Sequence, residues 1–264
     1  MTEKSRKSPA GPAGPSLSEI AEAAGVGIER RIFRTLVDTL LFPGKAARAA
    51  FDRADTHISQ LKLFAVLAGL FFSAGAFFEA PLTLSIGSLV PPGQVDAAYA
   101  SIQAQGADPA RVDAALARWG GVFTWPITLI ASAIFIVILK LVKPSVTWFG
   151  HVLIYLIATN AMTLVAIPLM AGRLISLEVF FILQLSTFLI FFIQIIRLGS
   201  SALQLSAGRL ILLTLLVVLA LFPSLLIVGV LQFGAAWAVL EFNGVSMLEM
   251  MQATSAAPSA TGVP

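Results

Sequence analysis

Five stretches of this chain, 61–80, 122–142, 146–169, 174–196 and 210–233, are long, apolar and nearly free of charge. An α-helix rises 1.5 Å per residue, so about 20 residues cross a hydrocarbon core of about 30 Å. In lipid every backbone N–H and C=O must pair within its own segment, and these stretches are about twice the length of barrel strands. Helices are therefore the form they take. Composition agrees, with 58% apolar and 12% charged residues against about 45–50% and about 25% in soluble domains. The expected fold is all-α, a polytopic membrane helical bundle with five transmembrane helices.

Orientation follows from the basic residues, which accumulate in cytoplasmic loops. About sixty mostly polar residues precede the first apolar run, so the N-terminus is expected to be cytosolic. Under that arrangement fourteen of the 17 Lys and Arg residues lie inside, and only Arg111, Arg118 and Arg173 lie outside. An odd number of spans then puts the C-terminus on the external side.

The segments outside the spans differ from one another. Residues 1–16 are Pro-rich and basic, a composition that cannot bury enough apolar surface to order itself, and a disordered tail is expected. Residues 17–60 form a cytosolic amphipathic segment. Within it Ile28, Ile32, Phe33, Leu36, Val37, Leu40 and Leu41 recur with helical period, and Glu29, Arg30, Arg34 and Asp38 occupy much of the other face. Phe42-Pro43-Gly44 breaks this helix, and a second, polar helix is expected over 45–60. The external loop 81–121 carries two helical patterns, Val95, Ala98, Tyr99, Ile102 and Val112, Ala115, Leu116, Trp119. They read as a helical hairpin lying on the outer membrane face, with Asp108 as N-cap of the second helix and Trp119 at headgroup depth. The stretch 234–264 reads as an interfacial extension, apolar over 235–251, ending in an Ala/Ser/Pro tail.

Polar residues inside spans are costly and so are candidates for function. Glu178 lies one turn into the fourth span, where it can take a proton or a cation, or reach the interface or Arg173. Gln184, Gln194 and Asn160 lie deeper and suit interhelical hydrogen bonds of about 1 kcal/mol. His151 could titrate near neutrality, yet it has no second His or Cys expected beside it. Glu79 ends the first span next to Pro81. At 100° per residue Asn160 points away from His151, and Gln184 lies about 120° round from Glu178, so no single polar stripe forms. Ala65, Gly69 and Ser73 repeat at a spacing that lets a helix approach closely, and Pro223 is expected to kink the fifth span. Arg30, Arg31, Arg34, Lys45, Arg48 and Arg53 cluster around the amphipathic helix as candidate contacts to anionic lipid headgroups.

There is no Cys, no G-x-S-x-G, no H-E-x-x-H, no phosphate loop and no Asp-rich metal-binding run. No catalytic residue, cofactor or metal is expected, and nothing points to nucleic acid. The expected partners are the bilayer itself and other membrane proteins or further copies of the chain.

Three stretches carry a family resemblance: LLFPGKAARAAFDR with the span after it, KLVKPSVTWFGHVLIYLIATNAMTLVAIPLM from Lys140, and IIRLGSSALQLSAGRLILLTLLVVLALFP from Ile195. In texture and order they resemble the bacterial branch of the Yip (Ypt-interacting protein) membrane family over 40–235. A bacterial multi-pass family of unknown function shares the Pro-Gly entry and the start of the third span. The acidic-Leu-x-Gly-Pro loop of eukaryotic Yip proteins, which work with prenylated small GTPases, is not found here. The resemblance implies a cytosolic N-terminus, five helices, a short non-cytosolic end and a role in organising partners or bilayer without a reaction. The reading is a non-catalytic integral membrane scaffold of a bacterial cytoplasmic membrane. The alternative is a small-solute or ion transporter using Glu178, Gln184 and Asn160.

Overall fold

The computed structural model describes residues 26–78, 84–91 and 93–256. The expectations for the N-terminal tail, for Glu79 and Pro81, and for the tail beyond Ala256 lie outside the described residues. Among those residues there are helices and no strand: α1 (Val26–Leu41), α2 (Pro43–Phe51), α3 (Gln60–Phe77), α4 (Ile86–Leu89), α5 (Val95–Ala104), α6 (Pro109–Val142), α7 (Trp148–Leu169), α8 (Leu177–Ser201), α9 (Ala207–Phe242) and α10 (Met247–Ala256), with a 3-10 turn at Met170–Leu174. Five of them, α3, α6, α7, α8 and α9, are long and apolar enough to span a membrane. The chain is a multi-pass helical membrane protein.

Core packing centres on α7. Its residues Leu153 to Ala161 are all buried, including Ile154, Ile157 and Ala158 at 0% exposure. It packs against α3 and α8, α6 packs along α9, and the short helices α1 and α2 rest on the first half of α7. Phe135 of α6, Tyr155 of α7 and Phe191 of α8 meet as an aromatic triple, with centroids 5.4 to 6.3 Å apart. Edge-to-face pairs of this kind hold helices together where lipid supplies no hydrophobic drive. Gly44 is required where α2 meets α8, because a Cβ there would sit 2.6 Å from Ser201 Oγ and 2.7 Å from its Cβ.

Two of the spans outrun the bilayer. With 34 and 36 residues, α6 and α9 are about 51 and 54 Å long. Their excess carries a distal cap. Trp119 to Lys140 on α6 rises about 32 Å, close to the hydrocarbon thickness. Ser224 Oγ of α9 donates to the Ala131 carbonyl of α6 at 3.4 Å, and that antiparallel register brings Trp119 level with Trp237. Both indoles are partly exposed, and they pack with Phe123 and Phe233, the arrangement of an interfacial aromatic belt.

Beyond the belt the structure departs from the expected hairpin flat on the membrane face. The helix predicted around 112–119 is the first part of α6, continuous with the span. Together with α4, α5, the end of α9 and α10 it encloses a separate core of Ile86, Ala98, Ile102, Val112, Leu116, Leu240, Met247 and Met250. Gly120 permits the continuity, since a Cβ there would lie 2.9 Å from the Leu84 backbone nitrogen. The interfacial extension expected after the fifth span is likewise helix α9 prolonged through Pro223 to Phe242, ended by Gly244 at φ +74°.

Smaller differences occur near the N-terminus. The helix expected over 45–60 stops at Phe51. Arg53, at φ +50°, takes the chain out of helical geometry, and an irregular segment leads to Gln60. Ala65, Gly69 and Ser73 are exposed, and nothing lies within 4 Å of a Cβ built on Gly69. That stripe is not a packing face of this chain; α3 turns Leu63, Leu67 and Ala68 inward instead.

Candidate functional site

The densest polar arrangement lies where α1, α2 and the segment before α3 dock on α7 and α8. Helix α1 turns its Thr35, Asp38, Thr39 stripe inward, and all three are buried. Asp38, expected on the outer polar face, points to His57: Oδ2 and Nε2 are 2.9 Å apart. A carboxylate only accepts, so the imidazole donates from Nε2. Thr56 Oγ1 lies 3.0 Å from the other ring nitrogen, and Arg34 Nε is 4.0 Å from the same Asp38 oxygen. The Ile58 N–H donates to Thr35 Oγ1 at 3.0 Å.

A second chain of bonds runs deeper. Asn160 Nδ2 donates to both the backbone carbonyl and Oε1 of Gln60, at 3.0 and 2.9 Å, and Gln60 Nε2 donates to Thr39 Oγ1 at 3.3 Å. Three helices, α7, α3 and α1, are tied in one line by side chains that are all at least 98% buried. At the end of α1, Gln194 Nε2 donates to the Leu40 carbonyl at 2.7 Å, and Arg197 donates to the Leu41 carbonyl. The last carbonyls of any helix lack partners within it; here α8 supplies them.

The remaining candidates have separate places. His151 is fully buried, and its Nε2 donates to the Lys143 carbonyl at 3.1 Å. Beside it Lys140 Nζ donates to the Pro144 and Val146 carbonyls at 2.7 and 2.8 Å. Both side chains brace the turn between α6 and α7. Gln184 Nε2 donates to the Ala166 carbonyl at 3.1 Å, joining α8 to α7. Glu178 is exposed in the first turn of α8, after the N-cap Ser176, where the positive end of the helix dipole favours a carboxylate. Glu178, Gln184 and Asn160 are thus not brought together, and the first two do not touch the polar line through Gln60.

Around the docked segment the basic candidates form a rim. Arg30, Arg34, Lys45, Arg48 and Arg53 are exposed, and Arg31 is half-buried. Exposed Phe33, Leu41, Phe42 and Phe51 alternate with them, and Lys45 Nζ lies 4.5 Å over the Phe42 ring. Lys62, Lys140, Lys143, Arg197 and Arg209 belong to the same end of the bundle, as the helix order requires. A cavity of about 400 Å³ opens within this rim, lined by Arg31, Arg53, Asp55, His57, Gln60 and Phe149 among others.

Asp38, His57 and Gln60 are the residues that sequence reasoning missed. The signal was present in Thr35, Asp38 and Thr39, whose i, i+3, i+4 spacing marks one helical stripe. Among the described residues no three His, Asp or Glu side chains group as metal ligands. What the bonds Asp38–His57, Thr35–Ile58 and Asn160–Gln60–Thr39 do is join α1 to the segment before α3 and to α7. The chain was compared with family models, curated proteins and solved structures, and none of them matches it.

Proposed function

We propose that this chain is a non-catalytic, Yip-like organiser of a bacterial cytoplasmic membrane, with the α1–α2 end in the cytosol and the distal cap outside. Its rim of Arg, Lys and Phe side chains sits at the anionic inner leaflet and holds membrane-protein partners or further copies of the chain there. One observation carries the reading: Asn160, Gln194 and Gln184, the deepest polar side chains singled out from sequence, all donate to neighbouring helices. Interhelical bonds of this kind hold a bundle closed. The side-chain amide N–H groups of these three residues are thus engaged in assembly, while the exposed chemistry at the α1–α2 end is basic and apolar together, as interfacial lipid contacts require.

The test has two arms. Topology reporters joined at Ala13 and after Thr254 should read cytosolic and external respectively; both ends on one face would contradict the orientation. Photo-crosslinking from Phe33 and Leu41 in native membranes should trap a second copy or a specific membrane protein. Adducts to bulk lipid alone would remove the organising role and leave only lipid contact.

A further inference from the structure

A crevice of about 430 Å³ lies between α3, α6, α7 and α8, apart from the basic rim. Its volume falls in the range of about 300–1,000 Å³ typical of small-molecule sites. No charged residue lines it. The wall is mostly aromatic and aliphatic, with Gln184 and five threonines set into it: Thr124, Thr128, Thr159, Thr163 and Thr187. Thr159 is 93% buried, at 7% exposure, and its hydroxyl has no hydrogen-bond partner. A buried polar group without a partner is costly, and a ligand that supplies the partner recovers that cost.

The other four threonines are already committed as donors. Thr124 donates to the Gly120 carbonyl, Thr128 to that of Thr124, Thr163 to that of Thr159 and Thr187 to that of Gln184, at 2.6 to 2.9 Å. Each keeps oxygen lone pairs that can accept a further bond. The wall therefore offers several acceptors and one uncommitted hydroxyl. A hydroxyl on the ligand, which both gives and takes a hydrogen bond, matches that set.

Depth selects the source of the ligand. Thr159 and Thr163 lie 11 and 15 residues beyond Trp148, about 17 and 22 Å into the span. A charged molecule is costly there, and Thr128 at the rim is exposed on the face that lipid covers. We infer that the crevice binds an uncharged long-chain lipid bearing a hydroxyl group, taken from the bilayer and held by Thr159. The inference stands apart from the organising role proposed above and needs no partner protein.

The full chain in phosphatidylcholine nanodiscs is labelled with a photoreactive long-chain alcohol, hexadecanol bearing a diazirine on its chain. The expected result is saturable labelling mapped to α6, α7 and α8, competed by hexadecanol and far less by hexadecane or hexadecanoate. Thr159→Val, nearly isosteric, weakens labelling about fivefold, and Thr128→Trp, filling the exposed mouth, abolishes the saturable part. Circular dichroism melting checks that each variant is folded. Should Thr159→Val fail to fold, the competition series and Thr128→Trp decide the matter. Equal competition by hexadecane or hexadecanoate, non-saturable labelling, or a folded Thr159→Val labelled like the unaltered chain would overturn the inference.

Discussion

The two ends of the bundle are both closed by short helices, yet by opposite means. The distal cap has a core of side chains such as Ile86, Ile102, Leu116 and Met250, each 0% exposed, and few polar contacts. Asp113 Oδ1 accepts the Ile86 N–H at 2.7 Å, and Gln105 Oε1 accepts the Ser246 N–H at 2.6 Å. The α1–α2 collar instead docks largely through Asp38–His57, Thr35–Ile58, Asn160–Gln60–Thr39 and the capping of α1 by α8. Both ends leave large apolar side chains exposed, Phe33 69% and Leu41 52% in the collar, Phe242 89% and Leu248 58% in the cap. The difference lies in what joins the parts, buried apolar side chains in the cap and hydrogen bonds in the collar. That is what the proposed placement requires: a cap in water can be assembled by the hydrophobic effect, whereas a collar at the bilayer would gain little from burying side chains that lipid would cover anyway. Hydrogen bonds and close packing must hold it.

The comparison breaks most sharply at Leu116. Replacing it with Ala should destabilise the cap by about 2–5 kcal/mol, seen as faster proteolysis at 105–108, with cleavage at 52–59 unchanged. Gly44→Ala acts at the other end. The clash with Ser201 should cost about 1–3 kcal/mol and speed cleavage at 52–59 while the cap stays protected. Asn160→Leu should loosen the collar by about 1 kcal/mol, and Gln184→Leu, which joins only α7 and α8, should leave cleavage at 52–59 as it was. Equal sensitivity to both would show that the line through Gln60 is not what holds α1.

The smallest effect tests a polar contact within the cap. Burial first, and then the carboxylates of Asp113 and Asp96, hold the Tyr99 hydroxyl above its ordinary value of 10.0. The folded state keeps this proton longer than the unfolded one, so the associated stability is full below about pH 10 and is lost as pH rises through the higher folded value. Asp113→Asn should bring the alkaline absorbance titration of Tyr99 back toward 10; an unchanged titration would contradict the contact.

The spans were legible because length and hydropathy suffice to locate them, and the α5 pattern at Val95, Ala98, Tyr99 and Ile102 falls on the observed helix. Continuity was not. Gly120-Gly121 reads locally as a break, but the Leu84 segment packs so closely on Gly120 that α6 passes straight through. The inward face of α1 also escaped notice, because an amphipathic pattern identifies an apolar side without saying whether lipid or protein covers it. Asp38 and His57 are 19 residues apart, and only the fold around the Pro43-Gly44 corner brings them together.

The chain has no cysteine, so single spin labels can be placed at Phe42→Cys in the collar and at Leu248→Cys in the cap, both exposed positions. Power saturation in anionic nanodiscs compares collisions with oxygen, which concentrates in lipid, against those with a water-soluble nickel complex. The account predicts that the collar label favours oxygen and the cap label favours nickel. A collar label as open to nickel as the cap label would contradict it.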